Sequence, residues 1–334
     1  MRIALDAMGG DHAPEEIVKG AIEAALEMDI NIFLVGRPEA IEPLLQQAPT
    51  TVRKRIEIVA ASEVIAMDES PATALRKKKD ASIVVATRLV KEGKAEALVS
   101  AGSTGAQMAA SLLGLGRISG IDRPAIATIL PTLEGGKLLL DVGANAEAKP
   151  KNLLQFAMMG SVYAEKVMGI SNPRVALLNI GEEETKGNEL VLSTYGMLKE
   201  APIRFIGNVE GRDLFFGRAD VIVCDGFVGN VVLKFGEGMI GALTKMIKDE
   251  LKNSRLAQLG ALLATPALRE MGKRLDYAEY GGAPLLGVNG VSIICHGSSK
   301  AKAIKNALRV AQQGVEERFI QAIKEHIPGR GEPV

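Results

Sequence analysis

Short apolar runs that pass straight into small, polar, glycine-containing turns recur along the chain. In order they are Ile3–Asp11 (IALDAMGGD), Ala97–Ala106 (ALVSAGSTGA), Leu138–Ala146 (LLLDVGANA), Val175–Asn188 (VALLNIGEEETKGN), Val221–Asn230 (VIVCDGFVGN) and Val291–Ser299 (VSIICHGSS). The apolar halves are unbroken and rich in leucine or β-branched residues, which predicts parallel strands buried on both faces. The polar halves then fall at the carboxyl ends of strands, the edge where open α/β sheets bind ligands. Glycine admits positive φ and close backbone approach, and a turn entering a helix presents unpaired N–H groups to an anion. The six turns are expected to converge on one edge as an enzyme site for a phosphate-like or carboxylate-like group.

The remaining pattern alternates strands with helices. Pro14 opens a helix to Met28, and Asn31–Gly36 and Arg55–Ala61 are strands separated by a Pro38–Gln47 helix. Helices follow at Thr73–Lys79, Ser82–Glu92 and Ser103–Ile118. Ala125–Thr132 and Lys137–Gly143 predict an antiparallel pair joined by Leu133–Gly136. Helices at Asn152–Met168 and Asn188–Glu200 flank a strand at Arg174–Ile180, and strands at Arg204–Val209 and Asp220–Cys224 come next. This alternation predicts a layered α/β/α sheet. Residues 1–327 are expected to form one catalytic domain, with two subdomains around a cleft as the alternative, and 328–334 a frayed tail. One region breaks the rule. Asn230–Asn253 is expected as one long helix, and a second helical pattern ends near Leu275. Between them Leu256–Leu268 reads as a connection unusually apolar for a turn. Residues 230–275 thus form a projecting helical hairpin, and Ser298–Ile327 closes the chain as one amphipathic helix.

Composition narrows the function. Lys plus Arg is 40 and Asp plus Glu is 40, so no basic surplus marks the chain for nucleic acid. Trp is absent and aromatics are few, which removes stacking platforms for bases. Cys224 and Cys295 sit inside apolar strands, outside any CxxC, and read as reduced core residues. The N-terminus enters a strand directly, and no apolar run approaches about 18 residues. A cytoplasmic protein without a transmembrane helix is expected, with no metal site and no cofactor.

Within the turns, Gly102-Ser103-Thr104-Gly105 is the best-placed anion cradle, with Ser103 or Thr104 as helix cap. Its bland alternative is a capped helix start in which Gly105 allows tight packing. Asp6, Asp141 and Asp225 each end a strand and either order a loop, bind a metal or orient a cation. Asn145, Asn179 and Asn230 are amides in matching places. Lys186 lies beside Glu182, Glu183 and Glu184. Lys234 lies one helical turn beyond Asn230, a spacing that predicts one shared edge for both. Of the three histidines, His296 ends a strand, whereas His12 and His326 do not. Cys295 and His296 point to opposite faces and make no nucleophile–base pair. Gly236–Gly241 matches GxGxxG but falls inside a helical pattern, where that motif carries no dinucleotide. With no nucleophile elbow present, chemistry by positioning and electrostatics is expected, the substrate supplying the nucleophile. Leu256, Leu259, Leu262 and Leu263 at the hairpin tip, flanked by seven basic and three acidic residues over Lys245–Arg274, point to an anionic membrane surface. A dimer interface is the alternative.

Taken together, MGGD at Met8–Asp11, SAGSTGA, RPA at Arg123–Ala125, DVGAN, NIGEEETKG, CDGFVGN, GGAPLLG at Gly281–Gly287 and HG at His296-Gly297 resemble one family in order along the chain. It is the bacterial phosphate acyltransferase family of phospholipid synthesis. Ser103 stands where the family pattern usually carries Asn. The resemblance implies a mostly parallel mixed sheet like those of phosphate acetyltransferases and isocitrate or isopropylmalate dehydrogenases, in a homodimer. It implies transfer of a long-chain acyl group from acyl carrier protein to inorganic phosphate, by direct attack on the thioester. The acyl phosphate would pass to a membrane glycerol-3-phosphate acyltransferase, with the enzyme peripherally bound to the inner face of the cell membrane. On that basis Lys186, His296, Asn230 and Lys234 are the catalytic candidates. Asp6, Gly9, Gly10, Asp11, Gly102, Ser103, Thr104, Gly105, Asn145, Asn179, Asp225, Gly297 and Ser298 are the substrate-binding candidates. An NAD(P)-dependent decarboxylating dehydrogenase of the same fold is the alternative enzyme. It would need a metal-binding Asp cluster and an Arg-rich pocket, and the sequence displays neither.

Overall fold

The computed structural model describes residues 1–327, so the tail expected at 328–334 lies outside the described residues. Its strands are β1 (Arg2–Asp6), β2 (Asn31–Gly36), β3 (Ile56–Ala60), β4 (Ala97–Ser100), β5 (Ala125–Thr132), β6 (Gly135–Leu140), β7 (Val175–Asn179), β8 (Phe205–Glu210), β9 (Val221–Val223), β10 (Ala283–Leu286) and β11 (Val291–Ile294). They form one sheet in the order β3-β2-β1-β4-β11-β10-β5-β6-β9-β7-β8.

Side chains alternate across this sheet, as the period of two requires. On one face Ile3, Leu5, Leu138, Leu140, Val221 and Val223 join a core that runs along the whole sheet. The helices Glu15–Glu27, Pro150–Lys166 and Ala301–Glu316 cover it. On the other face the core is divided. Ala4 and Leu98 belong to one cluster, and Leu139 and Ile222 to another. The helix Thr104–Gly114 spans the division, with Ala106 and Ala110 in the first cluster and Met108 and Leu112 against the second. The architecture is a three-layer α/β/α sandwich with a mostly parallel mixed sheet.

The pairing corrects one expectation. Strands β3, β2, β1, β4 and β11 run parallel. Then β10 is antiparallel to both β11 and β5, and β5 to β6. The second parallel group, β6, β9, β7 and β8, therefore runs opposite to the first. The six glycine turns divide three and three between opposite edges instead of converging on one. Strand β10 is an element the hydrophobic pattern did not predict, because it is four residues long and contains Pro284, which argues against a central strand.

Two helical expectations also change. The connection of the hairpin is only Asn253-Ser254. Helix Gly226–Lys252 ends there, and Ser254 caps helix Arg255–Leu275 by accepting the Ala257 N–H at 3.0 Å. Leu256–Leu268 is thus helical, not a turn. The last helix is interrupted at Arg318, whose φ is 50°, giving Ala301–Glu316 and Phe319–His326.

The second parallel group is tied by a buried ion cluster. Asp220 accepts from Lys137 Nζ at 2.8 Å, Arg174 Nε at 3.0 Å and the Arg174 backbone N–H at 2.9 Å. Burial alone would raise the Asp220 carboxyl, but these hydrogen bonds outweigh it and hold the group well below the carboxylate range. Asp220→Ala leaves Lys137 buried and unpaired, and an unfolding free energy lower by about 3–5 kcal/mol is expected in urea titrations. A depressed carboxyl stabilises fully above its unfolded value, about 3.9, and loses that contribution as pH falls through the folded value. Asp220→Asn should accordingly flatten the acid limb of stability against pH.

Candidate active site

Three turns at the carboxyl ends of β1, β4 and β11 interlock. Gly10, at φ +111°, lies against Ala101 O and Gly297 O, a conformation and closeness that a side chain would strain. The Asp11 N–H donates to Gly297 O at 2.8 Å, joining the first turn to the third. A Cβ on Gly9 would lie 2.6 Å from Asp6 Oδ2 and 2.7 Å from the Gly102 nitrogen, so the first and second turns touch through glycine.

Asp6 is the pin beneath them. Its Oδ2 accepts from Ser100 Oγ at 2.7 Å and its Oδ1 from the Met8 N–H at 3.1 Å, while Ser100 Oγ accepts the Gly102 N–H at 3.0 Å. Burial raises the Asp6 carboxyl, with Ser82, Ser100 and the Met8 and Gly9 amides opposing. A small cavity beside it is lined by Asp6, Gly9, Ser82, Ser100, Gly102 and Ser103. Asp6 is thus buried in the support of the turns, not presented on their surface.

The helix Thr104–Gly114 starts on this support. Ser103 caps it, its Oγ accepting the Ala106 N–H at 3.4 Å. The Thr104 and Gly105 amides have no intrahelical acceptor, and Thr104 is exposed. Gly105 takes the packing part that is its alternative reading, with its partner on a helix and not on a strand. A Cβ there would lie 2.8 Å from Pro71 Cγ, so its lack of a side chain serves helix packing.

Above the turns stands a pair of titratable side chains. Lys234, on helix Gly226–Lys252, places Nζ 3.2 Å from His296 Nε2 and 3.2 Å from Glu237 Oε2. The other ring nitrogen, Nδ1, lies 2.8 Å from Ser298 Oγ and accepts the Ser298 N–H at 3.2 Å, so the turn after β11 fixes the ring. The helix starts at the opposite edge and carries Lys234 across to the first. Asn230 is exposed one turn earlier, its amide facing Gly143.

The other candidates stay at the opposite edge. Asp141 accepts from the Ile126, Gly143, Ala144 and Asn145 amides and from Asn145 Nδ2, so it orders its own loop. Asn145 also donates to Pro124 O at 2.7 Å. Asn179 closes its loop by donating to Lys186 O at 3.0 Å and accepting from the Ile180 N–H. Asp225 caps helix Gly226–Lys252 through the Val228 N–H at 2.9 Å. Lys186 is exposed in the loop after β7, and one chain does not bring it to the Lys234–His296 pair. Burial pushes the Cys295 thiol up to about 12 and the Cys224 thiol well above its ordinary value. Neither is a thiolate near neutral pH.

Sequence reading passed over Ser100, quoted in a motif but not assigned a role, and Glu237. The latter is legible as the i+3 partner of Lys234. It also passed over the rim. Val64 and Ile65 line the cavity with Asp6, and a Cβ on Gly297 would lie 2.9 Å from Met67 Cε. This short irregular segment carries no motif.

Comparison with known proteins gives the family of the whole chain. Residues 1–322 match the family model described as fatty acid synthesis protein. A phosphate acyltransferase of Heliobacterium modesticaldum is 86% identical over 334 residues, covering 100% of each chain. Another, of Desulfitobacterium hafniense, is 66% identical over 329 residues, covering 98% of each. Among solved structures, a phosphotransacetylase from Streptococcus pyogenes shares the fold at TM-score 0.64 and 16% identity, covering 95% of this chain and 94% of that one. A 4-hydroxythreonine-4-phosphate dehydrogenase from Klebsiella pneumoniae does so at TM-score 0.54 and 12% identity, covering 94% and 98%. The chain belongs to the fatty acid synthesis protein family, among its phosphate acyltransferases.

Proposed function

We propose that the enzyme moves a long-chain acyl group from acyl carrier protein to inorganic phosphate, with no acyl-enzyme. The observation that carries this reading is the capped start of helix Thr104–Gly114 on three interlocked glycine turns, with Lys234 and His296 above it. Phosphate rests at the Thr104 and Gly105 amides, where the helix dipole favours an anion. One of its oxygens attacks the thioester carbonyl carbon. The tetrahedral oxyanion collapses, the C–S bond breaks, and acyl phosphate leaves with a thiolate that takes a proton. Lys234 offsets the negative charge and is the nearest proton-bearing group, held in place by His296 and Glu237. Asn230, one turn away, orients the carbonyl.

The product is poorly soluble in water and is consumed by a membrane glycerol-3-phosphate acyltransferase, which places the enzyme on the inner face of the cell membrane. No helix among the described residues is long and apolar enough to cross a membrane, so attachment is peripheral and runs through the hairpin leucines. The exposed stripe Val231, Phe235, Met239, Leu243 and Met246 on helix Gly226–Lys252 supports pairing with a second copy as a homodimer.

The test is purified enzyme with acyl-carrier protein thioester and phosphate. Acyl phosphate should form only when phosphate is present. A kinetically competent acylated Ser, Cys or Lys trapped by mass spectrometry would overturn direct attack. Asp6 gives a second measurement. Asp6→Ala should unpin the two turns and raise the KM for phosphate about ten- to a hundredfold, more than the KM for the acyl donor. Asp6→Asn keeps an acceptor for Ser100 and should restore most of it. An unchanged phosphate KM in Asp6→Ala would show that the turns hold themselves.

A further inference from the structure

The segment between β3 and the helix Ser82–Lys91 forms one wall of the cradle. Val64 and Ile65 line the cavity beside Asp6, Met67 leans on Gly297, and Pro71 packs on Gly105. Pro71 also begins the helix Pro71–Lys77. A seven-residue helix rises about 10 Å, so its last turn stays on the rim of the site. That turn opens a run of four cations, Arg76-Lys77-Lys78-Lys79.

Of the four acids of the same segment, Glu63, Glu69 and Asp80 are engaged within it, and Asp68 is exposed, one acid against the three cations below. Glu69 accepts from Lys78 and from the Ala66 N–H at 2.8 Å. Asp80 accepts from the Ser62 N–H at 2.8 Å and Oγ at 2.7 Å, and Glu63 accepts the Asp80 N–H at 3.0 Å. Lys78 also donates to Val64 O at 2.7 Å and so braces the wall. Arg76, Lys77 and Lys79 are exposed, and none of the ion pairs among the described residues includes them. One cation suffices to complement the C-terminal dipole of so short a helix. Three leave a surplus of positive surface at the mouth of the site. No apolar side chain interrupts residues 76–80, so the run offers charge without insertion, which suits a protein face over a bilayer.

We propose that Arg76, Lys77 and Lys79 are the docking surface for an acidic face of the protein that carries the acyl thioester. The assignment rests on the acyl-transfer reading above. A thioester delivered on a carrier requires the carrier to sit at the rim while its arm enters the site. Opposite charge there speeds encounter and fixes orientation.

The experiment compares two donors in the full-length enzyme, an acyl carrier protein thioester and the small thioester acyl-pantetheine. In the variant Arg76→Glu with Lys77→Glu and Lys79→Glu, the KM for the carrier-borne donor should rise at least tenfold. The KM for phosphate and the kcat/KM for acyl-pantetheine should stay within about twofold. Raising salt from about 0.05 to 0.5 M should weaken the wild-type preference for the carrier and leave the variant indifferent. The neutral variant with glutamine at the three positions should shift the same way by less, and serves if charge reversal prevents folding. An unchanged carrier KM would overturn the assignment. So would a raised phosphate KM, which would place the cations in the anion site, or a loss of liposome binding with unchanged donor kinetics. Wild-type enzyme that made no acyl phosphate from either donor would overturn the site reading, and the docking assignment with it.

Discussion

Replacing Lys234 with alanine is expected to lower kcat/KM about a hundred- to a thousandfold while leaving the fold intact. The side chain is half-exposed on a long helix, so its loss opens no cavity. What is lost is the positive charge 3.2 Å from His296 Nε2, above the helix start that would hold phosphate. The proposed reaction gathers negative charge twice, on the tetrahedral oxyanion and on the departing sulfur. A fixed ammonium acts on both more strongly than on the ground state. Lys234→Arg keeps the charge but replaces a point donor with a planar fork, and should recover only part of the rate. His296→Ala should cost less than Lys234→Ala, since the imidazole steers the ammonium from 3.2 Å away and the charge itself remains. The double variant should be no worse than Lys234→Ala alone, because the two groups act as a unit. Rates within about threefold of wild type for Lys234→Ala would remove the pair from the mechanism. Additive losses in the double variant would show two independent roles.

The pieces of this site were legible one at a time. Each glycine turn was visible because a buried parallel strand and its turn are contiguous in sequence. The antiparallel pairing of β5 with β6 was visible too, as two apolar runs joined by a short glycine-containing loop. Strand direction across the sheet was not. A parallel run looks the same whichever way it points, and the direction of β6, β9 and β7 relative to β1 depends on which strand flanks β5. That strand is β10, disguised by its length and by Pro284. Asp6, Asp141 and Asp225 therefore looked equivalent at strand ends. Their hydrogen bonds distinguish them as a pin beneath the turns, a loop organiser and a helix cap. The Lys234–His296 contact joins residues 62 apart in sequence. It follows from a helix that crosses from one edge of the sheet to the other, which no local pattern records. The hairpin leucines were found by their number, but their setting was misjudged. A run of Leu and Ala is as good a helix as it is a poor turn.

Leu256, Leu259, Leu262 and Leu263 occupy the first turns of helix Arg255–Leu275 and are 80%, 55%, 68% and 77% exposed. Spacings of three and four place Leu256, Leu259 and Leu263 on one helical stripe. A stripe can lie flat in a headgroup layer, which a turn could not do without unpaired backbone. Lys245, Lys248, Lys252, Arg269 and Lys273 are exposed on the two helices of the hairpin, where each can gain about 1 kcal/mol near anionic lipid. Burying a leucine is worth about 1.5–3 kcal/mol. Leu259→Glu with Leu263→Glu removes two such terms and adds two negative charges. Partition onto anionic liposomes should therefore fall at least about a hundredfold, since each 1.4 kcal/mol is a factor of ten. Turnover of soluble substrate should stay near wild type, because these residues lie more than two turns of the hairpin beyond Lys234. Co-sedimentation at the wild-type level would show that the helix is no anchor. A double variant that leaves the membrane only because it dissociates to monomers, as light scattering would reveal, would assign the leucines to the contact between copies. The exposed stripe at Val231, Phe235 and Met239, proposed above as the contact between copies, lies on the other helix of the hairpin. The two surfaces can thus be mutated separately, and an oligomeric state unchanged from wild type in Leu259→Glu with Leu263→Glu is the outcome that fits a membrane-facing tip.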